Sequence, residues 1–243
     1  MHTVWQVRRE MPGEGDYAAG KGGITMSCGR LRKISYIVAL LLLMNSVRVD
    51  AHEIFYWNGT GICLRWYYTT NNVAQLKTND DYLSFPYSSN YSAAIGAWPG
   101  TTAYVNMTDS YQNSSNVDFA SATISYWQQR YPDNYLDVLG VCDITSSDNL
   151  AITTPETALQ SSKKIKYAGI YLTPYYEQAF YGDATSIRFV MVHELGHALG
   201  LGHSNGTYYP TNAPSVMRTG GVETYYLPQT HDITDITNKY NIP

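Results

Sequence analysis

Cysteine, charge and long apolar runs are all scarce in this sequence. Its 243 residues include 3 Cys, and 15% of them are charged, for a net charge of −4. Without a basic face the chain does not fit a nucleic-acid binder, and without a block of like charges it has no solvated charged tail. The apolar run at residues 34–44 holds 11 residues. A membrane-spanning helix needs about 20, so no stable membrane anchor is expected.

The same apolar run has the setting of a secretory signal peptide. Basic residues precede it, and Val49 and Ala51 place small side chains at positions −3 and −1 of a cleavage site. We therefore predict that residues 26–51 are a signal peptide, removed before His52, and that the mature protein is secreted to the extracellular space. The alternative is an uncleaved anchor.

The rest of the chain divides into an upstream piece and one long segment. Residues 1–25 are polar and unlike a signal peptide, so we interpret them as a non-native extension upstream of a true start at Met26. Residues 52–243 contain no repeat of fixed period and no low-complexity linker. Their length fits one globular domain, and we expect a monomer.

Two cysteines, Cys63 and Cys142, remain once the signal peptide is removed. In an exported chain they predict one disulfide; the alternative is a pair of free buried thiols. A glycoprotein is also predicted, because N-x-S/T acceptor patterns fit passage through a glycosylating export route. These candidate glycosylation sites are Asn58, Asn90, Asn106, Asn113 and Asn205.

Hydrophobic patterning predicts a mixed sheet followed by helices. Runs rich in β-branched and aromatic residues predict strands, and apolar residues at helical spacing predict helices. The predicted strands are 62–70, 102–107, 138–145 and 165–173, and the predicted helices are 91–98, 184–201 and 230–240. Asp183 or Thr185 is available to cap the second helix. This order of elements indicates an α+β or α/β domain.

The helix at 184–201 carries a pattern typical of a metal site. His193 and His197 are four residues apart, so both imidazoles project from one helix face and can reach one ion at about 2.0–2.1 Å. Glu194 lies roughly 100° further around the helix axis, where it can act as general base on a metal-bound water. Gly200 is expected to adopt the left-handed conformation that ends the helix and returns His203 to the same ion.

Three imidazoles leave one zinc coordination position open, which is typical of catalytic rather than structural zinc. Gly196 within the helix is expected to let another group pass close by. A chance match is a poor explanation, because the pattern HExxHxxGxxH fixes five positions. The other interpretation is a set of buried histidines bonded to backbone carbonyls, which explains neither the spacing nor the apolar setting.

Two further stretches complete a resemblance to a known family. HELGHALGLGHS at 193–204 resembles the zinc-binding helix of the metzincin clan of zinc endopeptidases, in its matrixin (matrix-metalloproteinase-like) form. SVM at 215–217 resembles the Met-turn of that family, and THDITDI at 230–236 resembles the start of its C-terminal helix. The resemblance implies an α+β, zincin-like fold: a mixed twisted sheet with an active-site helix, a Met-turn and a C-terminal helix.

The resemblance also assigns roles to individual residues. It implies that Met217 forms an apolar floor beneath the zinc-bound imidazoles; the alternative is an ordinary core methionine. Tyr225 and Tyr226 fall in the segment that walls the substrate specificity pocket in the family, although a solvent-facing tyrosine pair is equally compatible with the sequence.

The chain departs from the family pattern in its metal ligands. Matrixins hold a second, structural zinc through a loop containing histidine, and this chain has no histidine between His52 and His193, so one zinc ion is predicted. Calcium is possible but unassigned, with Asp183 as a weak candidate. His231 stands where the family has the first of two aspartates, and we expect it to have no metal role.

The sequence therefore predicts a secreted zinc metalloendopeptidase that hydrolyses peptide bonds in a protein or peptide substrate. Its site would consist of the zinc ligands His193, His197 and His203 and the general base Glu194 in a catalytic domain at 52–243. The alternatives are a glycosylated binding or adhesion module that keeps zinc as a structural pin, and a zinc amidase that does not cut proteins. The presence of Glu194 argues against a purely structural site.

Overall fold

The computed structural model describes part of the chain. The described residues are 56–57, 62–63, 65–67, 69–111, 114–149, 151–152, 164–175, 183–204, 214–218 and 223–241. The predicted extension at 1–25 and signal peptide at 26–51 lie outside them, as do Asn58, Asn113 and Asn205, so these predictions stay predictions.

Nine strands form two sheets in the described residues. Their bounds are β1 (Tyr56–Trp57), β2 (Ile62–Cys63), β3 (Thr69–Thr70), β4 (Val73–Tyr82), β5 (Val105–Asp109), β6 (Val117–Ser121), β7 (Gly140–Ser146), β8 (Ala151–Ile152) and β9 (Ile165–Leu172). β1 and β2 form a small hairpin sheet. The large sheet has the order β3-β4-β6-β9-β7-β8, with β5 paired to β4.

The large sheet is mixed. β4 pairs in parallel with β5 and β6, and β6 pairs in parallel with β9. β7 runs antiparallel to β9, with Gly140 opposite Leu172 and Cys142 opposite Ile170. Two strands therefore run against the direction of the others: β3 at one edge of the sheet, and β7, which is antiparallel to both of its neighbours β8 and β9.

Within the described ranges, four helices accompany the sheet. They are α1 (Tyr87–Ala97), α2 (Ile124–Arg130), α3 (Ala184–Ala198) and α4 (Thr230–Tyr240). α1 and α3 pack against each other, and α3 also contacts β7 and β9. Two tryptophans tie the core to α3 through buried hydrogen bonds: Trp98 Nε1 donates to the Val192 carbonyl at 3.1 Å and Trp66 Nε1 donates to the Ala198 carbonyl at 2.9 Å.

β7 separates two packed regions because side chains alternate across a strand. Cys142 and Ile144 join the main core beside α3. Val141 packs into a smaller cluster built around Trp127, Tyr131 and Val138. This second group, called here the α2 cluster, also contains the partly buried residues Ala122, Tyr126, Tyr135, Tyr171 and Tyr175.

The α+β class is confirmed, and so are the helices at α1, α3 and α4 and the strands at β5, β7 and β9. The single strand predicted at 62–70 is wrong: the structure divides it into β2 and β3. The sequence prediction also omitted the long strand β4, whose buried positions include the polar residues Thr78 and Asn79. The pair Asn71-Asn72 could have indicated the hairpin turn that precedes β4, because both residues adopt positive φ between β3 and β4.

Candidate metal centre

The helix α3 places two histidines and a glutamate at its buried end. Asp183 caps the helix, as predicted, by accepting hydrogen bonds from the backbone N–H groups of Thr185 and Ser186 at 3.2 and 2.9 Å. His193 and Glu194 are each 1% exposed. Burial of such polar groups is costly unless they are satisfied, which points to a specific role for this end of the helix.

A sharp turn after α3 returns the chain to the same place. The Gly200 N–H donates to the His197 carbonyl at 2.7 Å, and Gly200 has the predicted left-handed φ of 85°. The buried Lys239 of α4 donates from Nζ to the Gly200 carbonyl at 2.8 Å. Sequence reasoning missed this lysine, because nothing local connects it with a turn 39 positions away.

The three imidazoles converge. His203 Nε2 lies 3.3 Å from His193 Nε2 and 3.1 Å from His197 Nε2. His193 Nδ1 lies 2.6 Å from the Val216 carbonyl oxygen, and His197 Nδ1 lies 2.7 Å from the Leu201 carbonyl oxygen. A carbonyl only accepts hydrogen bonds, so both Nδ1 atoms carry the proton in the neutral rings. The lone pairs of both Nε2 atoms are then left facing His203.

This arrangement fits a zinc ion. Nitrogen ligands at about 2.0–2.1 Å in a tetrahedron lie roughly 3.3–3.4 Å apart, close to the two separations above. Facing lone pairs repel each other unless a cation lies between them, and carbonyl-bound Nδ1–H groups are the usual outer partners of zinc-ligating histidines. Among the described residues, one group of three or more His, Cys, Asp or Glu side chains could hold a metal ion. It consists of His193, His197 and His203.

The segment 215–217, predicted to be a Met-turn and called so below, packs against α3. Met217 is fully buried, and a Cβ added to Gly196 would overlap its sulfur. Gly196 thus leaves room for Met217, in agreement with the prediction that another group passes close to the helix. The Ser204 N–H donates to the Met217 carbonyl at 3.0 Å, which joins the segment after the third histidine to the Met-turn.

The first turn of α4 fixes the Met-turn. Asp232 is fully buried and accepts hydrogen bonds from Ser215 Oγ at 2.6 Å and from the Val216 N–H at 3.0 Å. It also accepts from the Gln229 N–H at 2.7 Å and so closes a capping box. The carbonyl that orients His193 belongs to the same Val216, so Asp232 acts on the metal centre through the Met-turn.

Tyr225 has a structural contact that the sequence did not reveal. Its hydroxyl accepts from the Ser215 N–H at 2.9 Å, and its ring meets the ring of Phe189 edge-on at 6.3 Å. Tyr226 lies under the Arg188 guanidinium at 5.4 Å. Both tyrosines pack against the core and do not form a solvent-facing pair. Their predicted role in a substrate pocket stays a prediction.

The surroundings of Glu194 perturb the acidity of its carboxyl group. Burial, and to a smaller extent the negative charge of Asp143, raises the pKa of its carboxyl group from 4.5 to about 8. A bound dication would favour the ionised form and oppose this shift. A carboxyl group balanced between these effects can both accept and release a proton near neutral pH.

Other predicted residues have mixed outcomes. Cys142 carries a free thiol and the Cys63 side chain lies outside the described residues, so the structure does not show their disulfide. Asn90 is 5% exposed, and its side-chain amide donates to the Pro86 carbonyl at 2.9 Å, which argues against it as a glycan acceptor. Asn106 is exposed on β5. His231 lies in α4, outside the histidine group.

Three convergent imidazoles with a buried carboxylate beside them define the class of the site, a mononuclear metallohydrolase centre. A family model described as Matrixin, a peptidase family, matches residues 88–238, which is more than half of the 243 residues. The chain belongs to the matrixin family of peptidases. It is a zinc metalloendopeptidase, and its substrates are proteins or peptides.

Comparison with solved structures and with curated sequences adds two findings. The chain is similar to high choriolytic enzyme 1, a hatching enzyme zinc-protease from the medaka fish Oryzias latipes, with 14% identity and a TM-score of 0.39. The match covers 74% of this chain and 96% of that chain. No curated protein sequence matches the chain. Within the described residues, no helix combines the length and the hydropathy required to cross a membrane.

Proposed function

We propose that the protein is a secreted endopeptidase in which Glu194 is the general base. The observation that carries this proposal is a glutamate that is 1% exposed and directly follows the first of three histidines whose ligating nitrogens lie within 4.8 Å of one another. When bound, zinc supplies a Lewis acid that acidifies a water molecule and polarises a substrate carbonyl. His193, His197 and His203 would hold it.

The chain's own groups account for the proton transfers. Glu194 takes a proton from the attacking water and then delivers it to the leaving amine, so one carboxyl group serves both halves of the reaction. The hydrogen bonds from His193 Nδ1 and His197 Nδ1 to backbone carbonyls keep both rings in the tautomer that ligates through Nε2. Acid that protonates these rings removes the metal and the activity together.

The test is a comparison of Glu194→Gln with Glu223→Gln. Both changes neutralise a glutamate with an almost identical side chain, but Glu223 pairs with Arg218 at 3.0 Å outside the histidine group. We expect Glu194→Gln to keep its zinc and to lose a factor of about 10²–10⁴ in kcat on a casein or peptide substrate. Glu223→Gln should behave as wild type.

Full turnover in Glu194→Gln would contradict the general-base role. No hydrolysis of any protein or peptide by the zinc-loaded wild type would favour the alternative in which zinc is a structural pin. Secretion rests on the segment at 26–51 and has its own test. Expression in a secretory cell should release a chain whose first residue is His52, whereas retention of the chain with an intact amino terminus would contradict it.

A further inference from the structure

Gly140, the first residue of β7, lies against the side chain of Glu194. A Cβ added at Gly140 would stand 2.7 Å from Glu194 Oε1, 2.9 Å from Cγ and 3.1 Å from Cδ. Separations below about 3.4 Å are inside the van der Waals contact of carbon with carbon or oxygen. The Glu194 side chain therefore occupies the space that any other residue at position 140 would fill.

The backbone conformation does not explain the glycine. Among the described glycines, Gly200 is the one with positive φ, so Gly140 has a conformation open to other residues. It pairs with Leu172 in the regular antiparallel register of β7 and β9. A glycine in a strand often marks the close approach of another group. Here the group that approaches is Glu194.

Among the described residues, the Glu194 carboxylate is surrounded by packing contacts rather than by hydrogen-bond donors. No hydrogen bond from the described residues to this carboxylate is present, and the side chain is 1% exposed. The backbone of β7 at Gly140 cannot easily move away from Glu194. It is held by its antiparallel register with β9, in which Gly140 lies opposite Leu172.

We propose that Gly140 is a positioning residue for Glu194, whose carboxylate is held beside the histidines by the slot that the missing side chain leaves. This inference rests on the proposed general-base role of Glu194. A methyl group at position 140 leaves β7 in place and displaces the carboxylate away from the strand. Catalysis is sensitive to such shifts: a displacement of about 1 Å can cost roughly 100-fold in rate.

The experiment is a double-mutant cycle with two readouts. Melting temperatures of the metal-free protein are measured for wild type, Gly140→Ala, Glu194→Ala and the double variant, and kcat, KM and zinc affinity are measured for wild type and Gly140→Ala. Gly169→Ala is the matched control. It lies on the neighbouring strand β9, and the three atoms nearest to its added Cβ would belong to the Tyr171 side chain, at 3.2–3.4 Å.

Gly140→Ala should melt roughly 3–10 °C below wild type because the slot is overfilled. The same change in the Glu194→Ala background should lower the melting temperature no more than Gly169→Ala does, since the space is then empty. With zinc bound, Gly140→Ala should lose about 10- to 100-fold in kcat while KM and zinc affinity stay at wild-type values.

Equal destabilisation by Gly140→Ala in both backgrounds would overturn the proposal, because the alanine would then not be meeting Glu194. Wild-type kcat in Gly140→Ala, with the thermal coupling present, would also overturn the positioning role and leave the general base intact. Full activity of Glu194→Gln would instead remove the proposed function, while the thermal cycle still reports whether the slot exists.

Discussion

The two faces of β7 hold their neighbours in different ways. Towards α3, the Glu194 carboxylate lies directly against Gly140 and is 1% exposed. On the opposite face, Arg130 makes a two-pronged ion pair with Asp143 and lies 5.7 Å over the ring of Tyr131. The side chains of that pair are 20% and 38% exposed, so water and salt reach them.

This difference indicates how substitutions on each face of β7 should affect the protein. On the face of β7 that lies towards α3 and the histidines, called here the metal side, the side chains are in close contact and buried from water. A shift of a fraction of an ångström therefore changes the geometry of the site. On the side of the α2 cluster, a partly solvated ion pair and aromatic packing contribute in small, graded amounts. Changes on the metal side should therefore affect chemistry as well as stability, and changes in the α2 cluster should affect stability alone.

The largest expected effect concerns pH and the metal-free protein. Burial, followed by the charge of Asp143, raises the pKa of Glu194 from 4.5 to about 8. The folded state therefore binds this proton more tightly than the unfolded state does. The stabilisation is full below pH 4.5 and is lost as pH rises through about 8. At about 1.4 kcal/mol per pKa unit the loss approaches 5 kcal/mol.

Urea unfolding of the metal-free wild type and of Glu194→Gln, at pH 5 and pH 8.5, measures this loss. The free energy of unfolding of the wild type should fall with rising pH relative to that of Glu194→Gln, in which position 194 does not titrate. The histidines titrate in both proteins, so their contribution cancels. If the free energy of unfolding of the two proteins changed with pH in the same way, burial would not raise the pKa of Glu194.

Gly196→Ala should disrupt the packing of α3 against Met217. The added Cβ would overlap the Met217 sulfur and stand 3.1 Å from Trp98 Cζ2. Overfilling this space should cost about 1–3 kcal/mol in the free energy of unfolding and weaken zinc binding by displacing the Met-turn. Gly96→Ala is the control, since nothing lies within 4 Å of its Cβ. In an exposed helical position it should stabilise the protein by about 0.5–1 kcal/mol.

Arg130→Lys tests the contribution of the opposite face of β7, towards the α2 cluster. Lysine keeps the positive charge but loses the fork that makes two parallel hydrogen bonds to Asp143. We expect a loss of about 1 kcal/mol in the free energy of unfolding, with zinc affinity and kcat unchanged. A fall in kcat without a fall in stability would mean that the α2 cluster takes part in the chemistry, and the contrast between the two faces would fail.

Tyr225→Phe tests the weakest connection on the metal side. It removes the hydroxyl that accepts the Ser215 N–H and keeps the ring against Phe189. The unpaired N–H should cost about 1 kcal/mol or less. Zinc affinity, measured by competition with a chelator, should fall less than the roughly 10-fold expected for a direct partner of a ligand. Tyr226→Phe keeps its ring over Arg188 and should change neither quantity.

The metal centre could be predicted because its geometry is local. The spacing of His193, His197 and His203 is fixed by helix periodicity and by the turn at Gly200, all within one short stretch. The roles of Asp183 as helix cap and of Gly196 beside Met217 follow from the same stretch and its neighbour at 215–217. Local spacing translates directly into three-dimensional position in such segments.

Features that depend on distant segments could not be predicted. β4 carries polar residues at buried positions, since Thr78 accepts the Tyr91 hydroxyl hydrogen bond from α1 at 2.6 Å, and its sequence therefore lacks a clean apolar alternation. The helix α2 has 7 residues, too few for a helical repeat of apolar residues to be recognised. Gly140 and Lys239 act on residues 54 and 39 positions away. No rule of spacing brings such pairs together before the fold is known.

The most direct test of the account is the zinc content of the purified, dialysed protein, measured by elemental mass spectrometry for wild type and for His197→Ala. Three imidazoles that share one ion predict one zinc per wild-type chain and a near-complete loss in His197→Ala, since two ligands hold zinc weakly. A wild-type protein that cleaves peptides without zinc, or a His197→Ala protein that keeps a full equivalent of zinc, would contradict the account.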